Sequence, residues 1–272
     1  MEEKFEVIEG IKCYAPELAR ENSGFKEESF DHLFKLEDGN FWFEGRAKIM
    51  KHLFRKFSND RDQLNFLEIG CGTGFMLKRF SGIPKVHLTG SEIYLAGLHF
   101  ARKRLPRADF IQLDATNMPF RQLYDTIGAF DVLEHIEADE QVMDQVHKAL
   151  KNNGNFLITV PQYSWLWSPL DDYACHKRRY SRKDLITKIK RQGFEIEYVG
   201  SFVFWLFPFM LLSRLLKKNQ QIKDPTSEFQ IPAVLNLIFS FCMRIDYLLI
   251  KMGISLPFGG SLVCVATKKP NK

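Results

Sequence analysis

The stretch from Asn65 to Leu77 reads N-F-L-E-I-G-C-G-T-G-F-M-L, and it constrains the fold more than any other part of the chain. An apolar run, Leu64 to Ile69, empties into Gly70, Gly72 and Gly74, spaced by single residues. The run has the length and uniform apolarity of a strand buried on both faces, and Phe75 to Phe80 reads as the helix that follows. Glycines between them let the backbone turn tightly and let a ligand approach atoms that a Cβ would shield. A phosphate-binding dinucleotide loop uses G-x-G-x-x-G spacing with no acid inside the turn. Here the pattern is E-x-G-x-G-x-G, starting at Glu68. A carboxylate beside such a loop repels phosphate and suits a cation.

The following segments repeat the strand–helix unit. Val86 to Gly90 is a second β-like run ending at Ser91-Glu92. Glu92 lies about 20 residues past the glycine loop, where an acid accepts both ribose hydroxyls of an adenosine. Phe110 to Leu113 ends at Asp114, which can accept the adenine amino group, while Met118 offers an apolar face to the ring. Tyr124 to Phe130 runs into Asp131-Val132-Leu133-Glu134-His135-Ile136, and Asn155 to Val160 ends at Pro161. Helical stretches, Ala96 to Leu105, Asp139 to Leu150 and Arg182 to Gln192, separate these runs. Strands that end in acids at regular βα spacing predict a doubly wound α/β sheet with its site at the carboxyl edge. S-adenosylmethionine (SAM) matches that site: it is of dinucleotide size, carries an ammonium and a sulfonium, and has no phosphate.

With these segments in this order, the chain resembles the class I SAM-dependent methyltransferases over Leu64 to about Gly200 and in its last strand. Glu68, Gly70, Cys71, Gly72 and Gly74 are similar to the family's first motif. Glu92 with Ile93 resembles its ribose-binding pair, and Asp114 with Ala115 its adenine contact. Asp131 opens a segment, D-V-L-E-H-I, similar to the fourth-strand segment of small-molecule O-methyltransferases of the ubiquinone-biosynthesis kind. The resemblance implies a Rossmann-like, seven-stranded mixed sheet with an antiparallel last strand. It also implies SAM as cofactor and S-adenosylhomocysteine as product.

The expected organisation has four parts: an N-terminal helical cap over 1–60, the SAM-binding core over 61–200, an apolar helical insertion over 201–259, and the last strand and tail over 260–272. In the cap, Phe41-Trp42-Phe43-Glu44-Gly45-Arg46 opens a helix running to Phe57, with Ile49, Leu53 and Phe57 at helical spacing. Trp42 and Phe43 read either as a staple against the core or as a lid over the ligands, and Trp42 is a candidate substrate contact. Between Phe194–Gly200, the sixth strand, and Ser261–Lys268, the last, about sixty residues replace an ordinary hairpin. Phe202 to Leu212 is almost wholly apolar and is followed by Arg214, Lys217 and Lys218; a polar linker then leads to a second helix from Pro232 to about Met252. Asn236, Arg244 and Asp246 argue against a membrane span there. A substrate roof, a membrane-surface element, or both remain.

Composition narrows the function classes. The net charge of +5 is moderate and dispersed, which favours an anionic substrate or membrane surface over nucleic acid. No N-P-P-[YF] segment follows the fourth strand and no Pro-Cys pair occurs, so nucleic-acid methylation is not expected. Five scattered cysteines without C-x-x-C spacing predict neither a disulfide framework nor a metal site. The acidic start, M-E-E-K-F-E, lacks an apolar signal segment. A cytoplasmic protein, peripheral at the inner membrane face, is the expectation.

If the acceptor is a hydroxyl, a base assists transfer, and the candidates are His135 and His176 with Asp171 as orienting acid. His176 belongs to the segment from Trp165 to Ser181, which also holds Arg178, Arg179 and Tyr180, the candidate substrate-binding residues and an anion clamp. Segments similar to W-S-x-x-D-x-x-x-x-H-x-R-R-Y occur in methyltransferases of this branch. The expected acceptor is a small or lipid-linked molecule. Transfer to nitrogen or carbon is the alternative, as is a silent SAM-fold subunit at the membrane.

Overall fold

Buried strands alternating with amphipathic helices wrap the chain into one twisted sheet covered on both faces. The computed structural model describes residues 4–19, 27–58, 63–217 and 231–270. A short hairpin of β1 (Glu6–Ile8) and β2 (Ile11–Cys13) comes first, then α1 (Glu27–Leu36) and α2 (Phe41–Phe57). The first half of the core follows: β3 (Leu64–Ile69), α3 (Phe75–Phe80), β4 (Val86–Glu92), α4 (Leu95–Arg104), β5 (Asp109–Gln112) and β6 (Tyr124–Phe130). The second half comprises α5 (Asp139–Ala149), β7 (Leu150–Pro161), α6 (Pro169–Tyr173), α7 (Arg182–Arg191) and β8 (Phe194–Phe202). Two insertion helices, α8 (Phe207–Lys217) and α9 (Ala233–Lys251), precede β9 (Ser261–Lys268).

The strand order is β1-β2-β5-β4-β3-β6-β7-β9-β8. Strands β5, β4, β3, β6 and β7 run parallel, while β9 is antiparallel to both β7 and β8. That is the expected seven-stranded mixed sheet. The sheet nevertheless has nine strands, because β2 pairs in parallel with β5 through Lys12–Ile111 and Cys13–Gln112, and β1 extends it. The start of the 1–60 segment is therefore strand rather than helical cap. Strands of three residues are too short for a period-two pattern to register.

From β3 the chain winds toward β4 and β5, and from β6 it winds toward β7. The carboxyl ends of β3 and β6 thus flank the switch point, where a crevice opens in doubly wound sheets. On one face α2, α3, α4 and α9 pack over the sheet; on the other, α5 and α7 do. Phe66 of β3 meets Phe54 and Phe80 at ring-centroid distances of 5.5 and 5.1 Å, and Phe80 meets Phe130 at 6.1 Å. Asn40 caps α2, its side chain accepting the Trp42 N–H at 3.0 Å.

The insertion is docked onto α2. Asn236 of α9 accepts the Phe41 N–H and donates to the Gly39 carbonyl, both at 2.9 Å. Gly45 allows the two helices to approach, since a Cβ there would lie 2.6 Å from Met243 Cε. Asp246 turns inward and accepts the Phe204 N–H at 2.8 Å, fixing the chain entering α8. The linker carrying Lys218 lies outside the described residues. Much of the insertion's apolar surface stays open: Leu237 is 73% exposed, Val234 69%, Met252 68%, Phe241 64% and Phe209 62%.

Burial pushes the Asp246 carboxyl up to about 6 against the pull of the Phe204, Trp205 and Val203 backbone groups. The native state then holds a proton that the unfolded chain has already released, so stability falls as pH rises between about 4 and 6. Asp246→Asn keeps an acceptor for Phe204 and removes this dependence. Relative to the variant, the parent is expected to lose up to roughly 3 kcal/mol across that window, measured by urea unfolding at a series of pH values. Parallel pH profiles for the two proteins would refute the assignment.

Candidate active site

The glycine loop leaves β3 with three alternate glycines in left-handed backbone: φ is +61° at Gly70, +50° at Gly72 and +76° at Gly74. Their surroundings differ. A Cβ at Gly70 would strike Val132 Cγ2 at 2.6 Å, and one at Gly74 would press the α4 backbone at Ala101 at 3.0 Å. These two glycines serve packing. Among the described residues a Cβ at Gly72 would meet nothing nearer than Phe30 Cε1 at 4.0 Å, so the backbone there is left open. Cys71 between them is buried, its N–H bonded to the Ser91 carbonyl at 2.8 Å.

Acids ring that space. Glu92, at the end of β4, accepts the Gly72 N–H at 3.1 Å and the Ile93 N–H at 2.8 Å, which ties the loop to the next strand. Asp114, just past β5, accepts the Thr116 N–H and hydroxyl at 2.8 Å in a local turn, with buried Ala115 between them. Met118 is buried within the core and leaves no free face for a ring. Glu68 is 2% exposed, with one carboxylate oxygen unpartnered. Burial holds its carboxyl well above the usual range, although the Arg46 guanidinium pulls the other way. The set suits a ligand with hydroxyls, an amine and a positive centre: Glu92, Asp114, Glu68 and the Gly72 backbone would hold SAM.

In the sequence Arg46 closes the segment that opens the helix over Phe41–Phe57, with no role of its own. It reaches from α2 to the end of β6, pairs with Asp131, and lies 4.4 Å from the Trp42 ring centroid. Asp131 sits in left-handed backbone at φ +57°, held by its N–H bond to the Thr159 carbonyl at 2.9 Å. Trp42 is half-buried and covers the guanidinium.

A second group of residues adjoins the end of β6. His135 and His176 meet edge to face with ring centroids 4.6 Å apart. His176 Nδ1 lies 2.9 Å from Asp171 Oδ1. Asp171 is 1% exposed and also accepts Arg179 Nε at 2.7 Å, Arg179 Nη2 at 3.1 Å and the Ser168 N–H at 2.8 Å. Burial alone would raise its carboxyl, but the bonds from His176 and Arg179 hold it far below the usual range. Burial, with the neighbouring His176, pulls His135 down to about 4, so its imidazole is neutral at physiological pH.

The expected anion clamp is not free. Arg178 donates to the carbonyls of Ile136 at 2.6 Å and Glu137 at 3.0 Å, and Arg179 is spent on Asp171. Tyr180 is wholly buried, its hydroxyl donated to Asp139 at 2.7 Å. These three residues lock the loop beneath the site and leave no side chain for substrate. Nothing in R-R-Y distinguishes a lock from a clamp: the acceptors of Arg178 and Tyr180 lie more than forty residues upstream in sequence, and that of Arg179 eight.

Gly72→Ala is expected to fold, at about 1–2 kcal/mol for its left-handed backbone, and to bind SAM more than tenfold more weakly. Asp114→Ala should weaken SAM similarly with little change in stability. Gly70→Ala, which collides with Val132, should chiefly lower the melting temperature. Isothermal calorimetry beside thermal melts separates these outcomes, and parent-like SAM affinity in both Gly72→Ala and Asp114→Ala would put the cofactor elsewhere.

The sequence profile of a family described as "Methyltransferase domain" matches residues 42–199. A probable S-adenosylmethionine-dependent methyltransferase of Mycolicibacterium smegmatis is 25% identical over 167 residues, covering 60% of this chain and 62% of that protein. A ubiquinone biosynthesis O-methyltransferase of Rickettsia conorii is 26% identical over 110 residues, covering 39% and 38%. The chain thus spans less than two thirds of the length of these curated relatives. Among solved structures, Haemonchus contortus phosphoethanolamine N-methyltransferase 2 in complex with SAM superposes with a TM-score of 0.60 at 17% identity, covering 92% of this chain and 59% of that one. Glycine loop, ring of acids and profile agree: the chain belongs to the methyltransferase-domain family, and its cofactor is S-adenosylmethionine.

Proposed function

We propose that the protein transfers the methyl group of SAM to a hydroxyl oxygen of a small or lipid-linked acceptor at a membrane surface. The observation that carries the chemical part is the linked set Asp171–His176–His135 beside the end of β6. When bound, SAM would supply an electrophilic methyl group, the C–S bond breaking as the O–CH3 bond forms, with the electron pair leaving on the sulfur of S-adenosylhomocysteine. The chain's task is to align the acceptor and to relieve it of its proton. Asp171 fixes the His176 ring by its Nδ1, which leaves Nε2 toward His135 and the acceptor side. The name of the Rickettsia relative supports transfer to oxygen.

The insertion supports the lipid part. Phe207 of α8 packs against Trp165 at 6.1 Å, and Arg214 donates to Ser168 at 2.7 Å, so the insertion borders the loop that carries His176. Burying apolar surface is worth about 25 cal/mol per Å², so the open face around Leu237 and Phe241 favours a covering of lipid. Exposed Arg244 and Lys251 on the same helix suit anionic headgroups, each adding about 1 kcal/mol. Helix α9 has 19 residues and is apolar enough to cross a membrane. Its bonds to α2 and the inward Asp246 favour its lying on the surface instead. On this reading the protein is cytoplasmic and peripheral.

Labelled methyl-SAM incubated with lipid and polar extracts should label a hydroxyl-bearing lipid. His176→Ala should lower that turnover about 100-fold or more while SAM binding persists. Full activity in both His135→Ala and His176→Ala would shift the reading to transfer onto nitrogen or carbon. Tight SAM binding with no labelled product from any extract would favour a silent interaction subunit. In flotation assays the parent should travel with phosphatidylglycerol vesicles, and the exposed double change Leu237→Asp, Phe241→Asp should abolish it. A parent that stays in solution would leave a substrate lid in place of the membrane element.

A further inference from the structure

We propose that Glu134, His135 and His176 hold a divalent transition-metal cation. One donor atom from each of the three lies within 4.8 Å of the others. Glu134 is the observation that needs a ligand: it is 0% exposed, and neither carboxylate oxygen has a hydrogen-bond partner among the described residues. Burial outweighs the pull of its own backbone N–H and of the Arg46 and Arg179 guanidinia, the latter already paired with Asp171. Asp131 adds a like charge, and Arg46 is already paired with Asp131. A buried carboxylate is ordinarily paired, hydrogen-bonded or bound to metal.

The histidines are prepared as ligands. A metal-binding imidazole characteristically gives one nitrogen to an oxygen of the protein and the other to the metal. His176 Nδ1 is held by Asp171 at 2.9 Å, leaving Nε2. One ring nitrogen of His135 lies among the three clustered donor atoms. The backbone fixes the assembly: Glu134 and His135 share one short 3-10 turn, Leu133–His135, and the Glu134 carbonyl accepts the Lys177 N–H at 2.6 Å, bringing the His176 segment alongside. Ligands around a cation with bonds of about 2.1 Å sit roughly 3 Å apart, so small side-chain rotations close the site. Two imidazoles and one carboxylate suit Zn2+, Mn2+ or Fe2+ and leave coordination positions open.

The role of the cation rests on the hydroxyl acceptor proposed above; its binding does not. An acceptor oxygen on an open position loses its proton to solvent more readily, and the resulting alkoxide or phenolate attacks the methyl carbon as the C–S bond breaks. With a cation bound, His135 and His176 serve it as ligands; without one, they remain the bases proposed above.

The test uses chelator-stripped protein without SAM, titrated with Zn2+ by calorimetry and with Co2+ by visible absorption. Expected are one cation per chain, Co2+ d–d bands, and Zn2+ affinity at least tenfold weaker in Glu134→Gln and in His176→Ala. Asp171→Asn should weaken Zn2+ by about tenfold through the His176 ring. SAM affinity, measured on the same samples, should change less than twofold and reports that each variant is folded. No Zn2+ or Co2+ binding by the parent overturns the inference. So does undiminished binding by the double variant His135→Ala, His176→Ala, which would put the cation on the free cysteines. Labelled transfer that proceeds at full rate in stripped protein, with no cation bound, sinks this inference and leaves the methyltransferase reading standing. A bound cation with no methylated acceptor in any extract does the reverse.

Discussion

One guanidinium, Arg46, holds the centre of this molecule together. Three acids from two strand ends, Glu68, Asp131 and Glu134, gather around it, and only Asp131 pairs with it directly. A single cation cannot neutralise three buried carboxylates. The two left over are forced toward their neutral forms or toward other positive partners. The geometry therefore creates a demand for positive charge at the carboxyl edge of the sheet. A sulfonium ligand would suit that demand on the Glu68 side. Arg46 is itself immobilised, with Trp42 over its face, so α2 and β6 cannot shift independently.

The loop after β7 is built on the same logic of buried charge with full pairing. Asp171 accepts from His176, from Arg179 and from Ser168, and it also completes the cap of α6. Asp139 receives the Tyr180 hydroxyl and Lys188 Nζ at 2.7 and 2.6 Å. Burial and this bond to Asp139 push the Tyr180 phenol far up, so it remains a donor at every physiological pH. Breaking such a network leaves an unpaired buried charge, which is far more damaging than never having built it.

The sequence made the architecture legible because its signals are local. The apolar run Leu64–Ile69, the glycines after it and the acids at the strand ends each lie within one strand–turn unit. Ser261–Lys268 read as the last strand, and Phe41–Phe57 carried helical spacing. What escaped was short or long-range. Strands β1 and β2 are too brief for periodicity, and their partner β5 lies about a hundred residues away. Arg46 and Glu134 acquire their meaning only when β6 ends beside α2. Arg178, Arg179 and Tyr180 offered the right chemistry for a clamp, and only tertiary contacts assign them to a lock. Met118 was legible as apolar, but its side depended on packing that no motif encodes.

The position of β9 between β7 and β8 has a consequence for how the molecule comes into being. Strand β8 is synthesised before the insertion, yet it finds no partner in the sheet until β9, beyond the insertion, arrives to pair with it on one edge and with β7 on the other. Until then β8 presents a bare edge and β7 a second one. The segment held waiting also carries α9, a helix apolar enough to cross a membrane. Non-local pairing of this kind is slow, and exposed edges beside apolar surface invite association with other chains. A surface that receives α8 and α9 early would shield both edges during that interval, so the bilayer proposed as the enzyme's workplace would also serve as the site where its sheet is closed.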